Sequence, residues 1–386
     1  MKLDYGPVRE DEADALDTIV AQALFFPTED MRSWRLQLGT EHFRAARRNG
    51  RLVAGLGIIP MGQWFGGLSV PIAGITAVGV APEQRGGGVG LEMMRRCLEE
   101  IHASGTPLSA LYPATVTFYR RAGYERAATR TVYEIAPDAI GVRDHTLDVV
   151  AVEEQHEPEI RRVYGERARH SSGNLDRHEF IWQALHHSKK HAVHRYLVSR
   201  DGRAEGYIAF TQAGRQDPLN VRDICALTPD AGRRLLTLLA DHRTMVERIT
   251  WSGAPNDLLL FLMPESKHKV EWAIDLLLRI VDVVAALGAR GYPGTVDTEL
   301  HIDVRDDVLP WNNGRFVLQV AEGRGSARPG GQGRIRLHAR DLAALYGGYM
   351  TPQELRAAGS LDGPDADLAA AALVFAGPRP WTPDMF

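Results

Sequence analysis

The sequence predicts a mixed α/β protein of three consecutive sections, and three observations lead to this prediction. The chain has 386 residues, which corresponds to two or three domains at about 150 residues each. Short apolar, β-branched stretches alternate with segments whose apolar residues recur at helical spacing. The order of these patterns in the first section recurs in the second. We place the three sections at residues 1–138, 139–269 and 270–386.

The first section alternates helix and strand patterns. Apolar residues at helical spacing predict a helix over residues 11–24. Apolar and β-branched stretches predict buried strands over residues 51–60 and 70–80. An amphipathic helix is predicted over residues 89–102, and Gly105 stands where a glycine commonly ends a helix.

The second and third sections continue the alternation. In the second we expect strands over residues 146–152, 195–199, 204–211 and 248–251, and helices over 158–166, 178–185 and 230–241. In the third we expect an apolar helix over 272–286, strands over 295–304, 314–322 and 333–338, and helices over 339–346, 352–358 and 365–374. Residues 323–333 are predicted to form a flexible hairpin loop.

Composition and charge exclude several classes of protein. Lys and Arg total 45 against 49 Asp and Glu, a net charge of −4, whereas a bulk nucleic-acid binder needs a basic excess. Cys97 and Cys225 are too few for a disulfide framework and fit no metal-binding spacing. The longest apolar run, residues 368–376, is too short to span a bilayer, and the first residues contain no apolar signal-peptide core. We therefore expect a cytoplasmic protein without a metal, a membrane span or a nucleic-acid partner.

The most informative segment is a glycine-rich loop between a predicted strand and a predicted helix. Glycines let main-chain N–H groups approach an anion closely, and the start of a helix adds about half a positive charge. Arg85 supplies a planar set of donors. The segment therefore predicts a pyrophosphate site. Its candidate binding residues are Arg85, Gly86, Gly87, Gly88, Val89, Gly90 and Leu91, and Val78, Gly79 and Val80 of the preceding strand are candidate contacts of another part of the same ligand.

The spacing of these glycines excludes two common nucleotide-binding motifs. A P-loop needs Lys and then Ser or Thr after its last glycine, but Gly90 is followed by Leu91 and a glutamate. A dinucleotide fingerprint that began at Gly86 or Gly88 would have its third glycine at Leu91 or Met93. Neither motif is present.

Arg85, Gly88 and Gly90 instead form the pattern Arg-x-x-Gly-x-Gly. This pattern resembles the pyrophosphate-binding motif of the GNAT superfamily of acetyl-CoA-dependent N-acetyltransferases. Residues 118–124, with the sequence FYRRAGY, resemble a helix-to-strand segment of the same superfamily. The resemblance implies that acetyl-CoA is the co-substrate.

The GNAT resemblance also implies where the coenzyme lies. In the superfamily two central strands separate, and the pantetheine arm threads between them. When the superfamily pattern is matched to this sequence, the opening lies between residues 78–80 and 108–112. Ala114 and Thr115 are further candidate contacts of the coenzyme. The second section has no counterpart of the glycine cluster, so we expect a GNAT-like domain without a coenzyme site.

Tyr119 and Tyr124 are the two candidates for a general acid. Tyr124 ends the FYRRAGY segment, where a tyrosine is usually structural. In many GNAT enzymes a tyrosine at the position of Tyr119 protonates the leaving thiolate. With a pKa near about 10, a tyrosine is protonated at neutral pH, as a proton donor must be. Packing in the core is the alternative role for Tyr119.

The layout and the last residues resemble a narrower group, the Eis-type (enhanced intracellular survival) aminoglycoside N-acetyltransferases. Members have a GNAT domain, a GNAT-like domain without coenzyme and a sterol-carrier-like domain, and the carboxylate of a final Phe serves as general base. The sequence here ends in WTPDMF, so the resemblance implies this role for Phe386. It also implies a homo-oligomer, a hexamer.

The same resemblance suggests contacts for the acceptor substrate. Phe25, Phe26 and Trp34 lie in the region that lines the acceptor pocket, with ordinary core packing as the alternative for each. Tyr112 stands where the best-known members have His. Met385 stands where an acidic side chain helps to hold cations, so Asp384 is the candidate for that task.

Three functions stay open from the sequence. The first is acetylation of the amines of cationic small molecules such as aminoglycosides, and the second is acetylation of protein or peptide lysines. The third is a non-catalytic lipid- or ligand-binding protein with a relic GNAT domain. The intact set Arg85, Gly88, Gly90, Tyr119 and Phe386 argues against a relic, because a decayed site would not keep all of them.

Overall fold

A computed structural model describes residues 3–188, 190–214 and 217–386. The strands of the first section are β1 (Asp4–Pro7), β2 (Phe43–Arg48), β3 (Arg51–Phe65), β4 (Leu68–Val80), β5 (Leu108–Leu111) and β6 (Glu125–Ile135). Its helices are α1 (Ala13–Leu24), α2 (Thr28–Leu38), α3 (Val89–Ala103) and α4 (Val116–Arg121). The helices and strands predicted for this section are confirmed, and β3 continues beyond its expected end.

The second section contains two strands and one short helix that the sequence pattern does not predict. Its strands are β7 (Asp148–Ala151), β8 (Leu175–Asp176), β9 (Val193–Arg200), β10 (Arg203–Thr211), β11 (Leu219–Ala226) and β12 (Ile249–Gly253). Its helices are α5 (Glu157–Arg169), α6 (Glu179–His186), α7 (Pro229–Ala240) and α8 (Leu258–Leu262). The unpredicted elements are the short β8 and α8 and the longer β11, in which Arg222 and Asp223 interrupt the apolar residues. Arg222 donates to the Leu185 carbonyl at 2.8 Å, and Asp223 is buried in an ion pair.

The expected helix over residues 272–286 is wrong. Residues 269–280 form the strand β13 (Lys269–Ile280), and the helix α9 (Val283–Ala289) begins only after it. The second half of β13 is buried on successive residues, because both faces of the sheet are covered there. A buried strand of this kind lacks the alternation of a half-exposed strand, so hydrophobic periodicity alone cannot distinguish it from a buried helix.

The remaining elements agree with the sequence except at one loop and at a two-residue strand, residues 361–362, which the sequence pattern does not predict. The strands are β14 (Thr298–Arg305), β15 (Gly314–Ala321), β16 (Arg324–Pro329), β17 (Ile335–His338) and β18 (Leu361–Asp362). The helices are α10 (Ala339–Gly347), α11 (Pro352–Ala357) and α12 (Asp365–Val374). The flexible loop expected over residues 323–333 is wrong for its first half, since β16 lies there. This strand is at the edge of its sheet, and its polar, small residues hide the strand signal.

The first two sections share one sheet, and β13, which begins at the predicted limit between the second and third sections, completes it. Within the described residues, 13 strands form this sheet in the order β1-β2-β3-β4-β5-β13-β6-β12-β11-β10-β9-β7, with β8 paired to β3. The last strand of the first section, β6, pairs with β12 of the second section. β13 lies between β5 and β6. The section limits at 138 and 269 stay a prediction.

The third section packs on the first through a shared core and a buried ion pair. Its separate five-stranded sheet has the order β16-β15-β14-β17-β18. Leu300 of β14 belongs to the same apolar cluster as Ile72 of β4. Arg279 of β13 donates to Asp306 at 2.8 Å, and both side chains are fully buried. These contacts position the third section so that the end of the chain returns to the large sheet.

Candidate active site

The site begins where two neighbouring parallel strands separate. β4 and β5 pair at Ile72–Leu108, Ala73–Ser109 and Gly74–Ala110, and no further pair joins them within the described part of the chain. Beyond these pairs, a register shift against β3 leaves Ala77 in a bulge with a φ of 53°. Such a bulge bends a strand and re-aims its residues. An opening between the two strands is therefore present at this end of the sheet.

The glycine loop connects the bulged strand to α3. Gly86 and Gly88 have φ angles of 76° and 77°, in the left-handed region that favours glycine. A Cβ at either position would meet nothing within 4 Å, and both residues are exposed, so the main chain is open to a bound anion. Gly90 is needed for a different reason, because a Cβ there would lie 3.1 Å from the ring of Phe118. No side chain caps the start of α3, which leaves the helix terminus accessible to a ligand.

Two arginines give this loop positive charge. Arg85 is exposed, and its Nε donates to the Val80 carbonyl at 3.2 Å. Arg48 of β2 donates to Gln84 at 3.0 Å, and its Nη1 lies 3.9 Å from the position that a Cβ would take at Gly87. No motif in the sequence marks Arg48, because it lies on a strand far from the loop in the chain.

A cavity of about 530 Å³ lies where the strands diverge. It is lined by Leu24, Phe26, Asp30, Met31, Trp34, Ile75, Thr76, Ala77, Val78, Tyr112, Ala114, Tyr119, Met385 and Phe386. The candidates that the sequence predicts and that this cavity brings together are Phe26, Trp34, Val78, Ala114, Tyr119 and Phe386. The lining is mainly apolar, and Asp30 is its acidic side chain.

Tyr119 and Tyr124 have different environments. Tyr124 is fully buried, and its hydroxyl lies 2.7 Å from Ser109 Oγ. Tyr119 lines the cavity, and burial raises the pKa of its hydroxyl to about 12. At neutral pH Tyr119 is therefore a protonated phenol in the cavity, whereas the hydroxyl of Tyr124 is engaged with Ser109.

The last residues of the sequence lie against the large sheet. Trp381 forms a parallel bridge with Thr129 of β6. The Trp381 N–H donates to the Ser172 carbonyl at 2.9 Å. Asn174 donates its side-chain amide to the Trp381 carbonyl at 2.8 Å. We call residues 378–386 the tail. At Trp381 the tail is thus paired on both sides.

Further contacts lead the tail into the cavity. Arg130 of β6 donates from Nε to the Pro383 carbonyl at 2.9 Å. The Tyr112 hydroxyl donates to the main-chain oxygen of Asp384. The ring centroids of Phe386 and Tyr112 are 5.6 Å apart, and Phe386 lines the cavity.

A buried ion cluster, Arg177 with Asp223 and Asp384, holds the end of the tail, and we call it the tail anchor. Nη1 of Arg177 lies 2.6 Å from Oδ2 of Asp223, and Nη2 of Arg177 lies 2.7 Å from Oδ1 of Asp384. All three side chains are at most 1% exposed. Tyr164 donates to the second oxygen of Asp384 at 3.1 Å. Burial raises the pKa of Asp223, but the charge of Arg177 together with the hydrogen bonds of Arg177 and His186 outweighs burial and holds that pKa well below its usual range.

Comparison with known proteins agrees with this geometry. Models of an acetyltransferase (GNAT) domain match residues 4–127 and 173–280, and a sterol carrier protein domain matches residues 283–383. An uncharacterized N-acetyltransferase of Streptomyces griseus is 30% identical over 354 residues, which cover 83% of each chain. The chain belongs to the GCN5-related N-acetyltransferases, the GNAT superfamily.

Within the GNAT superfamily the protein has the Eis-type organisation. The N-acetyltransferase Eis of Mycobacterium tuberculosis is 29% identical over 326 residues, which cover 78% of this chain and 77% of Eis. The crystal structure of a GCN5-related N-acetyltransferase from Anabaena variabilis covers 100% of both chains at 37% identity, with a TM-score of 0.97. The predicted order of two GNAT domains and a sterol-carrier-like domain is confirmed.

Two of the predicted substrate contacts lie outside the cavity of this GNAT protein. Phe25 ends α1 with 93% of its surface exposed and is not among the lining residues, so neither pocket nor core accounts for it. The expectation that Asp384 holds a cationic substrate is corrected, because its carboxylate is already paired with Arg177 and Tyr164. Trp34 lines the cavity and also packs edge-on against Phe180, with 4.7 Å between ring centroids.

The residues that hold the tail were also not predicted from the sequence. Arg177, Asp223 and Tyr164 belong to the second section, where no motif marks them. One signal was present: Asp223 interrupts an apolar strand, and a carboxylate in such a place needs a buried cation as its partner. The identity of that partner depends on the tertiary structure.

Neither a metal cluster nor a membrane span is found in the described ranges. No group of three or more His, Cys, Asp and Glu side chains in residues 3–188, 190–214 and 217–386 is arranged to hold a metal ion. Over the same ranges, no helix is both long and apolar enough to cross a membrane. Cys97 and Cys225 are both buried and unpaired.

The substitution Asp384→Asn tests the tail anchor. It leaves Arg177 with one fewer charged partner, so we expect a lower melting temperature and a displaced tail. A displacement of about 1 Å is enough to lower the acetylation rate about 10²-fold. Coenzyme A affinity, measured by calorimetry, should stay unchanged because Asp384 pairs with Arg177 and Tyr164 and not with the glycine loop.

Asp365→Asn is the matched control, since that carboxylate is 89% exposed and pairs with Arg356 at the surface. It should change neither the melting temperature nor the rate, because exposed ion pairs contribute little. A D384N protein with the rate of the wild type would show that the anchor does not position the site.

Proposed function

We propose that the protein transfers the acetyl group of acetyl-CoA to primary amines of small molecules, including cationic ones such as aminoglycosides. One observation carries the proposal: a single cavity joins the end of β4, Tyr119 and Phe386. These supply main-chain donors, a protonated phenol and a carboxylate. Amine acetylation needs such groups to stabilise an oxyanion, protonate a leaving sulfur and remove a proton.

The glycine loop is suited to the pyrophosphate of acetyl-CoA. The exposed main chain at Gly86 and Gly88, the uncapped start of α3 and the charge of Arg85 together favour a doubly charged anion. The opening between β4 and β5 then offers a path for the pantetheine arm toward the cavity. Gly79, Gly87, Val89, Gly90, Leu91, Ala114 and Thr115 stay predicted contacts of the same coenzyme.

The proposed chemistry is a direct transfer. The amine nitrogen attacks the thioester carbonyl carbon, the carbon–sulfur bond breaks, and an amide and the coenzyme A thiol form. The main-chain N–H of Val78 or Val80 stabilises the developing oxyanion. Tyr119 donates its proton to the leaving sulfur, and its pKa of about 12 keeps that proton in place until then.

The carboxylate of Phe386 is the proposed base. A free carboxylate and a free amine differ in pKa by about six, which opposes direct proton transfer by roughly 8 kcal/mol. Phe386 is only 7% exposed, and a charge removed from water is less stable, which reduces this barrier. We therefore propose that a water carries the proton, and that the carboxylate also attracts the cationic amine.

The acceptor side of the cavity favours amines with an apolar body. The residues from α1 and α2 are apolar except for Asp30. Asp30 and the carboxylate of Phe386 provide acidic partners for one or two ammonium groups. Each further ammonium would be desolvated without a partner, which is costly. The lining therefore predicts that monoamines are better acceptors than polycations.

An acceptor panel tests the proposed function directly. We would follow thiol release and product mass with an arylalkylamine, a polyamine, an aminoglycoside and a lysine peptide. We expect turnover of the small amines, with kcat/KM for the arylalkylamine about tenfold above that for the polyamine, because unpaired charges and buried apolar groups discriminate by such factors. Turnover of the lysine peptide alone would favour a protein acetyltransferase, and absence of coenzyme binding would favour a non-catalytic binding protein.

The substitution Tyr119→Phe tests the general acid. It removes the hydroxyl and keeps the ring, so kcat should fall by roughly 10²- to 10⁴-fold while coenzyme A still binds. Because the pKa of Tyr119 is about 12, the wild-type rate should show no loss from its ionisation up to about pH 11. Tyr124→Phe is the control, since that hydroxyl is engaged with Ser109. Equal rates for Y119F and the wild type would exclude Tyr119 as the acid.

A short extension after Phe386 tests the base. The added residues convert the carboxylate into a peptide group and move the charge away from the cavity. We expect the acetylation rate to be lost while acetyl-CoA still binds by calorimetry. The same extension at the amino end is the control. Full activity of the carboxyl-terminal extension would exclude the carboxylate of Phe386 as the base.

Assembly and location stay predictions. The hexamer and the cytoplasmic location implied by the sequence and its resemblance are both open to measurement, by light scattering and by fractionation of cells. Neither enters the chemistry proposed above.

A further inference from the structure

The second section contains a cleft with the same topology as the coenzyme opening. The parallel strands β11 and β12 pair at Leu219–Ile249 and Asn220–Thr250. No further pair joins them over the described residues, so they separate as β4 and β5 do. A cavity of about 240 Å³ lies where they separate, and it reaches Trp381 of the tail.

This second cleft is not a second coenzyme site. The connection from β11 to α7 contains no glycine loop, and Thr228 Oγ1 accepts from the Ala231 N–H at 3.2 Å, which caps the helix. Asp230 adds a negative charge in the first turn. A pyrophosphate would therefore meet a closed and repulsive helix terminus, in contrast to the open start of α3.

The second cleft contains an arginine with two buried nitrogens that lack a hydrogen-bond partner among the described residues. Nε and Nη2 of Arg167, on α5, are both buried, and neither has a partner among the residues that the structure describes. No carboxylate of those residues lies within 4.0 Å of its guanidinium. The guanidinium instead lies over two aromatic rings. Its Cζ is 4.9 Å from the ring centroid of Trp381 and 5.7 Å from that of Tyr164. Unpaired buried donors of a charged group are costly, so this arrangement is suited to a ligand that accepts hydrogen bonds.

Arg167 and Arg379 are the two arginines that line this cleft, and their charges favour an anion. His170 and Arg379 line the exposed mouth of the cavity. Asp257 is the carboxylate among the lining residues, and it accepts from the main-chain N–H groups of Ala254 at 3.1 Å and Leu259 at 2.8 Å. Since Asp257 is engaged with those N–H groups, it does not neutralise Arg167 by direct contact.

We propose that this cleft is a second binding site, for a small molecule with a carboxylate or phosphate group that pairs with Arg167. A guanidinium offers two parallel N–H donors that match the oxygens of either group. The ligand would also contact the tail, because Arg379 and Trp381 form one wall of the cleft. Its binding would therefore stabilise the tail in the position that places Phe386 in the active site.

The proposal is tested by calorimetry on the full chain saturated with coenzyme A. Coenzyme A occupies the glycine loop, so that an added anion cannot bind there. The probes are inorganic phosphate and succinate, which distinguish a phosphate from a carboxylate ligand. We expect one of them to bind at one site per chain, and Arg167→Gln to weaken that binding at least tenfold. Arg169→Gln is the matched control, because Arg169 lies on the same helix but is exposed over Trp64.

Asp257→Asn gives a result that a merely structural change would not give. Removal of this negative charge should strengthen binding of the anion, whereas a loosened cleft would weaken it. Retained coenzyme A binding shows that each variant is folded. No binding of either probe to the wild type, or equal binding by R167Q and the wild type, would overturn the proposal. Neither result depends on turnover, so the acetylation proposal would stand unaffected.

Discussion

The tail anchor is the interaction on which the proposed active site depends. Arg177 carries one positive charge between the carboxylates of Asp223 and Asp384, and all three side chains are removed from water. Desolvation of such groups is repaid only when each has charged and hydrogen-bonding partners, and loss of one partner leaves a buried charge uncompensated. The cluster therefore tolerates few positions of the tail. Phe386 follows Asp384 closely in the chain, so the anchor also determines where the last ring lies.

The pairing of strands across the sections gives the anchor a rigid base. β13 lies within the second matched GNAT domain, residues 173–280, and inserts between β5 and β6 of the first section, while β6 pairs with β12. The main-chain hydrogen bonds of these strands cannot form if the sections separate. The second matched GNAT domain thus supports the first site in two ways, since it contributes a strand beside β5 and the residues Arg177 and Asp223 behind the tail.

The two clefts show how one topology serves different chemistry. In the first, open glycines and an uncapped helix accept a large anion, and the neighbouring cavity is apolar with Tyr119 kept protonated by burial. In the second, Thr228 caps the equivalent helix. Two buried nitrogens of Arg167 have no hydrogen-bond partner among the described residues. The divergence of parallel strands creates the space in both. The side chains at the strand ends decide what each space can bind.

Local sequence patterns were enough to predict the features that act over a few residues. The strand, glycine loop and helix around Arg85, and the helix that contains Tyr119, follow from local spacing and from the conformations that glycine allows. Long-range packing, in contrast, makes residues 269–280 a strand, leaves Phe25 exposed and makes Asp384 an anchor. These outcomes depend on which distant segments meet: Arg177 and Asp384 lie 207 residues apart. Burial and ion pairing are properties of the packed chain, and no local pattern reports them.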